Sequence, residues 1–375
     1  MSKFSGGRYS DAVAPNFNPA RFSLARRRRG LTKTALAEKV GVSTRMIAGY
    51  ESGEHEPHDR TATKLADVLK FPMEFFYRPD LDEPPIDACS FRSLTTLHAR
   101  QRDQAIGAGA LALALSDWID ARFTLPEPNI PQYRVVDPET AAMAVRSEWG
   151  LGERPVRNMI HLLEAHGIRV FSLTEECRAL DAFSFWRGGH LPYAFLNTMK
   201  SAERSRMDAA HELGHLALHR KETAHGRDLE READLFASAF LMPRGSVLAE
   251  APRGGRLDQL IQAKLRWNVS VAGLVYRMHR LGLLSDWQYH SLFVEIGRKS
   301  YRTNEPNGSQ PETSQVLTKV FKTMREEGQT MSDIAGELAI TSEELSNLIF
   351  GLVLTPLEGL GNRGSSQGKS SLRLV

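Results

Sequence analysis

Cysteine is almost absent. Cys89 and Cys177 are the only two among 375 residues, too few for a disulfide framework and without the C-x-x-C spacing of a zinc ribbon or redox motif. Long apolar runs are missing too: no stretch approaches the ~18 residues that a membrane span requires. The opening MSKFSGGRYSDAVAPNFNPA has no apolar segment of the kind a secretory leader carries. A dominant sign of charge is also lacking, since 48 Lys and Arg face 45 Asp and Glu for a formal net charge of +3. A polyanionic partner must therefore be met by local clustering rather than by the surface as a whole. These absences exclude a secreted disulfide scaffold and a membrane protein, and they predict a cytoplasmic chain with two reduced thiols.

What is present suffices for several cores. A hydrophobic share of 41% over this length predicts two or three domains. The most informative stretch is His211-Glu212-Leu213-Gly214-His215. At about 100° per residue, H-E-x-x-H on a helix sets both imidazoles on one face a single turn apart, where they can share a metal, with the Glu beside it as a general base. The residues from Ser201 to Arg220 read as that helix, with Ser201 as N-cap and Ala209, Ala210, Leu213, Leu216 and Ala217 as its apolar side.

A catalytic zinc takes three protein ligands and keeps a fourth position for water. Glu230-Arg231-Glu232-Ala233-Asp234 offers the third. On a helix running to Met242, Glu230 and Asp234 share a face beside the buried stripe of Ala233, Phe236, Ala237 and Phe240, while Glu232 lies off it. Glu230 is thus the expected ligand, and Asp234 the acid that orients an imidazole. His219 stands two turns beyond His211, ~12 Å along a straight helix, too far to join it at one metal, and reads as structural. Tyr193, Arg206 and His190 are candidates by type for stabilising an oxyanion, and the residues do not choose among them.

HELGHLALH from His211 to His219, followed by EREADLFASAFLMP from Glu230 to Pro243, resembles the ImmA/IrrE family of zinc metallopeptidases. The resemblance reaches upstream through the helix and strand of Ile160 to Val170 and a strand from Leu191 to Asn197. It implies Zn²⁺ held by His211, His215 and Glu230, Glu212 as general base, and Asp234 at a position where the family has Asn or Asp.

The amino-terminal region points to a second partner. Between Arg21 and Arg45 stand eight Lys or Arg and one acid, including Arg26-Arg27-Arg28-Arg29, a charge able to neutralise several phosphates. Thr32 to Val40 reads as a capped helix ending at Gly41, and Ser43 caps the next, which is helix-turn-helix spacing. The run from Ala37 to Gly53 resembles the XRE, or lambda-repressor-like, DNA-binding domain. That resemblance implies that Thr44, Arg45 and Gly49 face the major groove and that Lys33 holds phosphate. Arg45 is the expected base reader, since Arg pairs bidentately with guanine, whereas Ser43 and Thr44 would discriminate weakly.

The expected architecture is multidomain and mainly α with a small sheet (α+β). A five-helix DNA-binding domain occupies 16–78, a linker with a long helix packed between domains 79–130, and a zincin-like peptidase 131–250. A helical buttress follows at 251–300, then a helix-turn-helix-like element at 310–355 and a Gly/Ser-rich disordered tail at 356–375. The 310–355 element carries Asp333, Glu337, Glu343 and Glu344. Acids repel phosphate, so it reads as a packing or partner-binding element.

The resemblances imply a cytoplasmic, nucleoid-associated and homodimeric regulator. It binds double-stranded DNA and cleaves a repressor or other regulatory protein in stress response or mobile-element control, either in itself or in a partner. The alternatives are a non-proteolytic transcription factor whose zinc fold senses a ligand or serves oligomerisation, and an antitoxin-like module that sequesters its partner.

Overall fold

The computed structural model describes residues 16–85, 99–133, 137–173, 181–220, 226–353 and 370–371. Cys89 and Cys177 lie outside them, as does the expected tail apart from Ser370–Ser371. The chain divides into two compact units at residue 81.

Each helix of the first unit starts and stops on the residue that local chemistry prescribes. Helix α1 (Pro19–Arg28) begins with proline behind Asn18, whose side chain accepts from the amides of Ala20 and Arg21. Helix α2 (Lys33–Val40) is capped by Thr32 and ends at Gly41, whose φ of 79° suits a residue without a side chain. Helix α3 (Thr44–Ser52) is capped by Ser43 and ends at Gly53. Helix α4 (Asp59–Leu69) and a 3₁₀ turn at Met73–Tyr77 complete the expected five. Phe22, Leu36, Ile47, Leu65 and Phe76 are wholly buried at their centre.

The second unit is built around a small sheet and two crossing helices. After a two-residue strand β1 (Phe123–Thr124), strands β2 (Arg169–Ser172), β3 (Ala182–Arg187) and β4 (Leu191–Leu196) lie in the order β2-β4-β3, the first pair parallel and the second antiparallel. In that register Phe183 stands opposite Phe195 and Phe185 opposite Tyr193, giving one face a stacked aromatic layer. Tyr193 carries this layer to helix α5 (Ala99–Asp120) by donating to Ser116 Oγ at 3.0 Å. The other face meets helix α8 (Ala202–Leu218), where Trp186 Nε1 donates to the Leu216 carbonyl at 3.3 Å.

Helix α5 lies within the second unit, after the division at residue 81. It is core to the second unit, buried along most positions from Gln104 to Ile119. Its small residues let neighbours approach closely: a Cβ at Gly109 would come within 2.4 Å of Pro84 Cγ.

Helix α6 (Pro138–Glu148), capped by Asp137, and helix α7 (Met159–Ala165), capped by Asn158, precede the sheet. Helix α9 (Arg227–Leu241) crosses α8 and packs on α6. Buried Arg146 of α6 donates to the carbonyls of Phe240 and Gly152 and so fixes the end of α9. Beyond α9, helix α10 (Arg244–Glu250), helix α11 (Leu257–Ala263), helix α12 (Val271–Arg280) and helix α13 (Asp286–Arg298) follow. Arg277 of α12 joins the Met242 carbonyl at 3.0 Å to Glu139 at 2.8 Å, which buttresses α9 from behind.

The last helices, α14 (Gln315–Glu326), α15 (Met331–Glu337) and α16 (Ser342–Ile349), reproduce the expected helix-turn-helix rhythm; of their acids, Glu337 and Glu344 engage the fold, while Asp333 and Glu343 are exposed. Glu337 accepts from Trp118 Nε1 at 2.7 Å, and Glu344 is 1% exposed. Glu164 of α7 accepts from Ser314 Oγ and from the amides of Gln315 and Val316 at the start of α14. Among the described residues, no helix is long and apolar enough to cross a membrane.

Candidate functional site

Two helices cross at a glycine, and that crossing brings the chemistry together. A Cβ at Gly214 of α8 would lie 3.2 Å from Ala233 Cα and from Phe236 Cδ1 of α9. No larger residue allows this approach without displacement, which explains the glycine inside the H-E-x-x-H helix. Ser201 caps α8 by accepting from Arg204 N, and the helix ends at Leu218 with His219 as its C-cap.

At the crossing, His211 Nε2 and His215 Nε2 are 3.0 Å apart. Glu230 of α9 lies 3.3 Å from the former and 3.6 Å from the latter. These three form the one group of acids and histidines, among the described residues, whose atoms converge as metal ligands would. The edge of a tetrahedron with metal–ligand bonds of 2.0–2.1 Å is about 3.3–3.4 Å, close to the His211–His215 nitrogen separation and to the 3.3 Å between His211 Nε2 and Glu230 Oε2. Two imidazole nitrogens and a carboxylate oxygen are also the donors that zinc accepts with a fourth position left for water. The set therefore fits a zinc ion.

The surroundings favour a cation. Burial disfavours a charged imidazole at His211, but its hydrogen bonds to Asp234 and Glu230, and the charge of Glu212, outweigh burial and push its pKa up to about 10. Asp234 sits 2.9 Å from His211 Nδ1, on the side of the ring away from the cluster. Glu212 is buried, and Ser184 Oγ of β3 donates to its Oε2 at 2.6 Å. His219 and Glu232 are not isolated: His219 Nδ1 is 3.0 Å from His215 Nδ1, and its Nε2 is 3.0 Å from Glu232 Oε2.

The structure thus unites His211, His215, Glu230, Glu212 and Asp234, and leaves the oxyanion candidates engaged elsewhere. Tyr193 donates to Ser116, Arg206 is held by Glu312 and the Val156 carbonyl, and His190 faces the Gly188 carbonyl. Ser184 was missed, together with its strand. A signal existed in the aromatic-rich apolar run Ala182-Phe183-Ser184-Phe185-Trp186 ahead of the turn pair Gly188-Gly189, both at positive φ.

In the first unit, the described arrangement corrects two expectations. The basic run is largely spent within the fold. Arg26 pairs with Glu51 at 2.6 Å, Arg28 is 1% exposed, and Arg29 donates to the carbonyls of Leu69 and Lys70 while lying over Phe71. Gly49, expected to face the groove, is buried, and His55 lies against it so closely that a Cβ there would meet His55 Cδ2 at 2.8 Å. Thr44 and Arg45 are exposed on the first turn of α3, and Ser43 caps that helix by accepting from Met46 N. Lys33 is paired with Glu51 at 3.0 Å. Burial alone would raise Glu51, but hydrogen bonds from Arg26 and Lys33 prevail and hold its carboxyl below the ordinary range.

A helix-turn-helix unit and, in the second unit, a crossed-helix group of metal-type ligands mark a DNA-binding regulator with a metallopeptidase-type domain. Residues 23–76 match the helix-turn-helix family, and residues 163–279 match the IrrE N-terminal-like domain family of peptidases. The chain therefore carries an XRE-type helix-turn-helix domain followed by an IrrE/ImmA-like domain. The second match runs through α12, past the expected boundary at 250. No curated protein matches the chain.

Proposed function

We propose that the chain is a zinc-dependent endopeptidase directed by DNA binding to a regulatory protein, such as a repressor, in stress response or mobile-element control. The observation that carries this reading is the convergence of His211, His215 and Glu230 on one point, with Glu212 held beside it by Ser184. His211, His215 and Glu230 would hold the metal. Zinc, when bound, supplies Lewis acidity toward a peptide carbonyl and makes water a nucleophile near neutral pH. Glu212, as general base and then acid, would take a proton from the attacking water and hand it to the departing amine. Ser184, by donating to Oε2, orients the carboxylate. Asp234 orients His211 through Nδ1.

On the DNA side, Arg45 is the base reader, Ser43 and Thr44 contribute from the start of α3, and Lys33 meets phosphate where α2 begins. DNA-binding units of this kind read paired half-sites, which supports a homodimer. A cytoplasmic, nucleoid-associated location follows from the DNA partner. The test compares protein termini by mass spectrometry in lysates of cells expressing the wild type or Glu212→Gln under stress. A discrete cleavage product confined to the wild type is expected. Identical termini across several stresses would replace the peptidase with a non-proteolytic regulator that senses through its metal fold.

A further inference from the structure

The remaining nitrogens of the two ligand histidines are served by unequal means. His211 Nδ1 meets Asp234 directly at 2.9 Å. His215 Nδ1 meets a second histidine, His219, at 3.0 Å, and His219 Nε2 in turn meets Glu232 at 3.0 Å. The His219 side chain is 7% exposed and that of Glu232 43%, so the chain of contacts runs from the buried cluster outward. Neither His219 nor Glu232 has a part in the chemistry proposed above.

A contact between two Nδ1 atoms needs a proton on one of them and a lone pair on the other. A metal takes the Nε2 lone pair of His215, which puts that ring's proton on Nδ1 and makes it the donor. His219 must then accept at Nδ1, carry its own proton on Nε2 and donate it to Glu232. The opposite order would aim an N–H of His215 at His211 and Glu230, where a lone pair is required. One arrangement of protons therefore satisfies all three groups.

We propose that His219 and Glu232 are positioning residues of the metal centre, a relay that fixes the tautomer and ring plane of His215 as Asp234 does for His211. The proposal rests on His211, His215 and Glu230 being zinc ligands. It gives all three acids of Glu230-Arg231-Glu232-Ala233-Asp234 a place at one centre: a ligand, the end of a relay and a direct partner. It also gives the C-cap of α8 a reason to be histidine, because a leucine there would pack but could not accept from His215.

The experiment titrates zinc against a chromogenic chelator in the full-length protein, comparing the wild type with H211A, H219A, H219N and E232Q. Asparagine sets its side-chain oxygen near the place of the His219 Nδ1, so it accepts from His215 without continuing to Glu232. H219A should weaken zinc binding by about 10- to 100-fold, as removal of an outer partner of a ligand histidine does. H219N should recover most of that loss, and E232Q should cause a smaller one. With cobalt(II) in place of zinc, the visible bands should shift in H219A and return toward the wild-type positions in H219N.

Wild-type affinity and an unchanged cobalt spectrum in H219A would overturn the relay alone, provided H211A still loses zinc. Zinc binding that survives in H211A would overturn the ligand assignment and the relay with it. If H219A does not fold, H219N and E232Q decide: H219N with the affinity of H211A, or E232Q with no loss, would count against the relay.

Discussion

At the scale of single residues, the chain separates charges that act outward from charges that hold the fold. Arg45 is exposed on α3, whereas Arg29 is bound to two carbonyls and an aromatic ring. Arg45→Ala should therefore cost about 1–3 kcal/mol of operator discrimination, the worth of a bidentate base contact. Arg29→Gln should instead lower the melting temperature of the first unit and leave the salt dependence of DNA binding unchanged. Binding isotherms at several ionic strengths, with thermal melts, distinguish the two, and a shallower salt slope in the Arg29 variant would count against its internal role. The same distinction applies to Ser184. Its hydroxyl donates to the carboxylate of Glu212, and a hydrogen bond to a charged group is worth about 1.5–3 kcal/mol. Ser184→Ala should thus slow cleavage by about tenfold or more while zinc content, measured by elemental analysis, stays at the wild-type value.

At the scale of elements, the crossing of α8 and α9 is set by one glycine. Gly214→Val would drive two methyl groups into Ala233 and Phe236, and such overpacking costs about 1–3 kcal/mol. Chemical denaturation should register that loss, together with weaker zinc binding, because the helix that moves carries Glu230. A second element-level prediction concerns the turn where His166 stacks on Trp149 at 3.8 Å. Burial holds that imidazole near pKa 4, below the unfolded value of ~6.5. The unfolded chain binds more protons between these values, so the contribution is full above ~6.5 and is lost as pH falls toward 4. Because the ring is partly solvated, the loss should be on the order of 1 kcal/mol. His166→Phe should flatten the acid limb of a stability profile between pH 6.5 and 4.

How far the elements could be read ahead of the structure followed from how local their causes are. Caps and stops such as Thr32, Gly41, Ser43 and Ser201 sit beside the helices they bound, and the spacing of His211, His215, Glu230 and Asp234 is a property of helical geometry. Strand β3 was not read, because its register depends on β4 and its function on a helix some thirty residues away. The fate of the arginine run was hidden for a related reason. Whether a guanidinium meets phosphate or the Leu69 carbonyl is decided by tertiary packing, which charge counting does not record.

At the scale of the whole molecule, the second unit is larger than the segment bearing the metal ligands. Residues near 312 to 316 supply Glu312 to buried Arg206 and donors to buried Glu164, and Phe350 accepts from Thr198. A chain ended before 310 would leave a buried guanidinium and a buried carboxyl without these partners, and breaking a buried charged pair costs about 3–5 kcal/mol. Truncation there should abolish cooperative melting of the second unit and leave that of the first. Differential scanning calorimetry of the two chains checks this, and an intact second transition in the shortened protein would refute it.

The bond between Glu164 and Ser314 spans 150 residues of sequence, and it has a consequence in time. At synthesis rates of about 5–20 residues per second, the segment that completes the second unit follows Glu164 by about 8–30 s. The last residue of the first unit, Leu81, is synthesised before either. On the proposed function, the DNA-binding unit would be fully synthesised while the proposed cutting site still lacks the segment that completes its unit.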